Sequence, residues 1–162
     1  MIATLTSACN RLLGLLRRGD WVGPLLARLT LGLVFVTAGW GKLHNLDHVT
    51  QFFESLDIPA PQASATLVSW VELVGGALLI AGLATRVAAL FLVAVMAVAI
   101  GTAKLPELHG IIDLVTTIEV VYLAAFVWLV VAGGGRVSLD HAIARWRKRD
   151  VRTTTADAAA IA

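Results

Sequence analysis

The chain has 162 residues, of which 58% are hydrophobic and 15% charged, against roughly 25% charged in an average soluble domain. This composition excludes an ordinary water-soluble protein and defines a membrane protein. The net charge of +2 reads as a topology signal, because the basic residues lie where anionic headgroups would meet them; no nucleic-acid partner is expected.

At the start of the chain Leu5, Ala8, Leu12, Leu15 and Leu16 recur at helical spacing among Asn10, Arg11, Arg17 and Arg18, which predicts an interfacial anchoring helix. Residues 1–20 lack the continuous apolar stretch and small-residue cleavage site of a secretory signal. Cys9 is the single cysteine, so it cannot form an intrachain disulfide.

Apolar stretches of about 20 residues predict four spans, near Leu25–Leu43, Ala63–Ala84, Val87–Leu105 and Ile111–Ala132. Strand-like alternation is absent, so each span is expected to be a helix that satisfies its own backbone hydrogen bonds. The expected fold is all-α: an integral membrane four-helix bundle over residues 1–152, with short amphipathic surface helices. Between the first two spans, Phe52, Phe53 and Leu56 predict a short helix dipping into the headgroups before Pro59 and Pro61 turn the chain. After the fourth span, Ser138 is placed to cap a helix carrying Leu139, Ala142, Ile143 and Trp146 beside Arg145, Arg147, Lys148 and Arg149. Residues 153–162 read as a disordered tail.

Arg11, Arg17, Arg18, Arg28, Arg86, Arg136, Arg145, Arg147, Lys148, Arg149 and Arg152 fall on one side of these spans, and only Lys42 and Lys104 on the other. By the positive-inside rule both termini of this multi-pass protein are cytoplasmic.

Glu72 interrupts an otherwise uncharged run from Leu67 to Ala84. An unpaired charge at a helix centre costs about 2.5–3.5 kcal/mol, so such residues face a bundle interior or a wet cavity. On the first span Arg28, Gly32, Phe35, Gly39 and Lys42 recur at steps of four and three and share one face. Gly75 and Gly76 lie one turn from Glu72, and glycines let neighbouring backbones approach closely. Span three carries a comparable stripe of Arg86, Leu90, Val93, Ala97, Gly101 and Lys104, and span four groups Thr116, Glu119 and Tyr122. Arg28, Lys42 and Glu72 followed by Arg86, Lys104 and Glu119 form a weak internal echo, as two tandem hairpins would.

The expected site is an inward polar cluster of Lys42, Glu72, Lys104 and Glu119, with Arg28, Trp70 and Tyr122 as further candidate ligand contacts. Such a cluster either fixes helix register or lines a ligand site or proton path. Trp40 and Trp128 read as belt or packing aromatics. His44, Asp47 and His48, with His109 and Asp113 across the same surface, read as solvated residues, and no metal site is expected. No histidine falls inside a span to ligate haem.

Four segments carry a resemblance: Arg28 to Phe35 (RLTLGLVF), Gly39 to Leu43 (GWGKL), Val71 to Arg86 (VELVGGALLIAGLATR) and Gly134 to Asp140 (GGRVSLD). Together they resemble the DoxX-like membrane proteins over roughly residues 24–141. The resemblance implies a four-span bacterial inner-membrane protein of a family named after a subunit of a thiosulfate:quinone oxidoreductase, with members that look like membrane partners of soluble redox enzymes. It transfers no catalytic residues, and Arg28, Lys42, Glu72 and Arg86 carry over only as motif positions. The chain has no cysteine pair, dinucleotide loop or haem ligand pair with which to supply redox chemistry alone. Three functions are therefore expected to compete. The first is a quinone-binding membrane subunit or partner of a redox system, docking a soluble redox protein on Arg145 to Arg152. The others are a small-solute carrier and a structural scaffold, and a homo-oligomer fits all three.

Overall fold

The computed structural model describes residues 19, 21–104 and 110–147. The expected N-terminal interfacial helix and the 153–162 tail lie outside the described residues. Among these, the elements are all helical: α1 (Val22–His44), α2 (Leu46–Ser55), α3 (Pro61–Ala81), α4 (Thr85–Ala99) running into a π-helical turn (Ile100–Lys104), α5 (Ile111–Thr116), α6 (Ile118–Ala132) and α7 (139–147).

Local chemistry explains the boundaries. Pro24 sits in the first turn of α1 and Pro61 opens α3, positions where a missing amide proton costs nothing. α3 ends in a Schellman motif: Gly82 is left-handed at φ 67°, its amide donates to Leu79 and the Leu83 amide donates to Leu78. α2 is the amphipathic surface helix expected from Phe52 and Phe53, and it rests mainly on α3.

Three helices are long and apolar enough to cross a membrane: α1, α3 and α4 with its π turn. The fourth apolar stretch departs from the expected continuous helix over residues 111–132, because Thr117 is extended (φ −70°, ψ 134°) and separates α5 from the 15-residue α6. The reason lies in the Thr116-Thr117 pair, whose hydroxyls donate to the carbonyls of Ile112, Asp113 and Leu114. Such back-bonding competes with regular helix propagation.

α1 and α3 form the tightest seam. A β-carbon on Gly39 would lie 2.5 Å from the Leu73 nitrogen and 2.7 Å from the Ser69 carbonyl, and one on Gly76 would lie 2.8 Å from the Gly32 carbonyl. Only glycine permits this backbone contact, and dispersion over the seam replaces the hydrophobic drive that lipid does not supply. The core then forms where Leu31 and Phe35 of α1 meet Leu79, Ala88, Ala89, Leu92, Met96, Phe126 and Leu129. Phe126 meets Phe35 edge-on at a centroid distance of 4.9 Å, a favoured aromatic geometry. Leu33, Trp40, Leu90, Phe91 and Val121 are exposed, as side chains facing lipid would be.

The third span turns a different face inward from the stripe read in sequence. Thr85, Ala88, Ala89, Leu92 and Met96 are buried, whereas Arg86, Leu90, Ala97 and Gly101 are exposed. Because α4 is apolar nearly all round, its two charges do not mark the inner face.

The Arg28 end of the bundle is stitched by the segment after α6. Asp140 accepts hydrogen bonds from the amides of Ala84 (2.7 Å) and Thr85 (3.0 Å), and so caps α4 from a distance. Its own amide donates to the Gly82 carbonyl at 3.0 Å. Buried Arg28 donates to the Val137 carbonyl at 2.5 Å. Ser138 caps α7 as expected, accepting the His141 amide at 3.1 Å.

Gly39→Val is expected to destabilise the protein by at least about 1–3 kcal/mol through overpacking. Gly41→Val, where a β-carbon meets nothing within 4 Å, should cost less than about 0.5 kcal/mol. Unfolding midpoints of the two variants in the same detergent check this, and equal shifts would contradict a close-packed seam.

Candidate functional site

The end of the bundle opposite Arg28 holds a cavity of about 520 Å³. Its walls come from the last turns of α1, the first half of α3, the end of α4 with the π turn, and the start of α6. α2 covers it with His48, Phe52 and Phe53. π turns are frequent at functional sites, and this one contributes Thr102 and Ala103 to the wall.

Most of the lining is apolar, including Phe35, Leu67, Val68 and Met96, and the polar groups are few. Lys42, Glu72, Glu119 and Tyr122 all line the cavity. Glu72 is only 2% exposed and accepts a hydrogen bond from Lys42 at 2.5 Å. The Lys42 side chain stays 34% exposed, the usual compromise for a lysine at membrane depth. Glu119 is the second residue of α6, where a negative charge is favoured by the helix dipole. It pairs with Lys104 more loosely, at 3.8 Å. Tyr122 stands edge-on to Phe35 at 5.5 Å, joining the aromatic wall to the core.

The charges therefore form two ion pairs, each joining the two helices of one hairpin: Lys42 on α1 with Glu72 on α3, and Lys104 on α4 with Glu119 on α6. This is the geometry that the internal echo suggests. The halves differ in closeness, since the glycine seam lies in the first. In each pair Oε1 of the glutamate meets the lysine, while Oε2 of Glu72 and of Glu119 is buried with no hydrogen-bond partner among the described residues.

Two candidate residues lie elsewhere. Arg28 is at the opposite end, held by Val137, so it belongs to the stitch and not to the cavity. Trp70 is 52% exposed and does not line the cavity, because two residues along a helix from Glu72 is roughly a 200° rotation. His44 bonds the Trp40 carbonyl through Nδ1 and packs on that ring. Among the described residues no three His, Cys, Asp or Glu side chains gather to hold a metal. His109 lies outside the described residues.

Sequence reading missed the contribution of α2 and the π turn to the cavity, and it missed Asp140 as a remote cap. An aspartate two residues after a capping serine was the available sign of an exposed helix start, but its partners are 55 and 56 residues away. No local signal identifies them.

Fold and site together define an all-helical membrane protein with partly buried ion pairs beside a largely apolar cavity. The chain belongs to the DoxX family, whose family model matches residues 23–105. It is 35% identical over 130 residues to the uncharacterized membrane protein Rv3486 of Mycobacterium tuberculosis, covering 73% of this chain and 79% of that one. It is 28% identical over 120 residues to the inner membrane protein YqjF of Escherichia coli, covering 74% and 91%. A further relative is the Bacillus subtilis protein named "Putative oxidoreductase CatD", 34% identical over 84 residues. That match covers 52% of this chain and 61% of CatD, so less than two thirds of CatD's length is spanned. No solved structure matches the chain.

Lys42→Met is expected to destabilise the protein by about 3–5 kcal/mol, because it leaves buried Glu72 uncompensated, whereas Lys42→Met with Glu72→Leu should recover most of that loss. Lys104→Met, in the looser and more exposed pair, should cost less than about 1 kcal/mol. Denaturant unfolding in micelles measures all three, and a double variant as unstable as the single one would contradict this account of the pair.

Proposed function

We propose that this DoxX-family protein is a four-span, multi-pass inner-membrane protein with cytoplasmic termini that binds a quinone head group, as the membrane subunit or partner of a redox system. The observation that carries the reading is the cavity. A space of about 520 Å³ lies within the range of small-molecule sites, which are apolar with a few placed polar groups. Phe35 and Tyr122 offer ring faces and edges, and the carboxylates of Glu72 and Glu119 are the polar points. The relative named as an oxidoreductase supports a redox context.

The positive-inside assignment puts Lys42 and Lys104 on the outer side, and the cavity with them. A soluble partner on the surface that begins at Arg145 and Arg147 would then sit at the other end of the bundle. The two ends are separate surfaces, so that contact serves assembly of the redox system.

A carrier is the second reading, and the break at Thr117 favours it. Discontinuous helices at membrane depth are where many transporters build their sites, and Ile118 and Glu119 just after this break line the cavity.

Protein extracted in native lipid discs should carry about one quinone per chain above the level in bulk lipid, read by mass spectrometry of an organic extract. Ala38→Trp, which fills the cavity from α1, should lose most of it. Quinone at the bulk level in the unaltered protein, together with proton or solute flux in vesicles that Glu72→Gln abolishes, would replace this reading with the carrier.

A further inference from the structure

The lysines use only one oxygen of each cavity carboxylate. Oε2 of Glu72 and Oε2 of Glu119 are buried, lack hydrogen-bond partners among the described residues, and belong to residues that line the same cavity. Buried polar atoms without partners are rare and costly, and they call for an explanation in terms of what they bind. Both oxygens belong to groups that only accept hydrogen bonds when ionised. The ligand complementary to them therefore brings donors.

Two classes of ligand satisfy a pair of carboxylates: a cation, or a neutral molecule with O–H or N–H groups. The charge balance decides between them. Each glutamate already has its own lysine, so the cluster is neutral overall and offers a cation no net attraction, while its directional acceptors remain. An oxidised quinone has carbonyl oxygens alone and can only accept. It can accept a hydrogen bond from the remaining donor capacity of Lys42, but it leaves both Oε2 atoms unpaired. A hydroquinone donates to a carboxylate and still accepts from Lys42 through the same hydroxyl.

We infer that the cavity is selective for the reduced ligand: it binds a quinol, with Glu72 Oε2 and Glu119 Oε2 as acceptors for its hydroxyl groups, in preference to the corresponding quinone. The inference rests on the quinone-binding reading above and adds the oxidation state and the residues that read it. It concerns binding alone, and no electron transfer by this chain is invoked.

The test compares decylubiquinol and decylubiquinone with the full-length protein in one detergent under anaerobic conditions, with apparent affinities taken from titrated thermal stabilisation. The quinol should bind at least about ten times more tightly, the effect of one hydrogen bond to a charged acceptor. Glu119→Gln should bring the ratio below about three, because the amide replaces one acceptor oxygen by a donor. Glu72→Gln should do the same, and if it does not fold, Glu119→Gln carries the test alone. Equal or tighter binding of the quinone overturns the selectivity and leaves the quinone site standing. A ratio unchanged in Glu119→Gln overturns the assignment of the acceptor. Binding of neither form, or binding of tetraphenylphosphonium in their place, overturns both readings.

Discussion

Everything at the Lys42 end of this protein depends on keeping a carboxylate ionised deep in an apolar bundle. Glu72 meets that constraint with one short contact from Lys42, and that contact depends on how closely α1 and α3 approach. The glycines do this: with side chains at Gly39 or Gly76 the backbones could not come together, and the lysine would have to reach further for its partner. Backbone packing and ion pairing are thus one arrangement seen at two levels. Lipid supplies no hydrophobic drive between helices, so dispersion along the seam and the pair beside it hold the first hairpin.

The second hairpin repeats the pattern of charges with looser geometry. Lys104 ends a π turn, and Glu119 follows a break in the helix, so neither is held by a continuous helix as Lys42 and Glu72 are. The irregular backbone of this half borders the cavity, which lies beside the tight first half and under α2. The far end differs. There Arg28, Gly82 and the Val137 to Asp140 segment interlock through hydrogen bonds, which fixes the base against which the other end can remain open.

Much of this was legible before any coordinates. Arg28, Gly32, Phe35 and Gly39 recur on one helical face, and that face is buried; glycines and charges in an apolar helix are visible exceptions. Glu72 was visible for the same reason. Trp70 misled because nearness in sequence suggested nearness in space, although adjacent helical positions point to different sides. The stripe from Arg86 to Lys104 misled because two charges at the ends of a uniformly apolar helix carry no information about the rotation between them.

Sequence by itself determined the membrane-protein class, the positions of the apolar runs, the inner face of α1, the surface helix α2 and the cap at Ser138. Each of these follows from local composition or from the helical period. Only the tertiary structure decided which lysine meets which glutamate, that Arg28 serves the opposite end, that the fourth stretch breaks at Thr117, and that one oxygen of each cavity carboxylate has no hydrogen-bond partner among the described residues. The physical reason is that lipid is as apolar as the core: a helix surrounded by both shows no amphipathic contrast to betray its rotation, and contacts between distant segments leave no local trace.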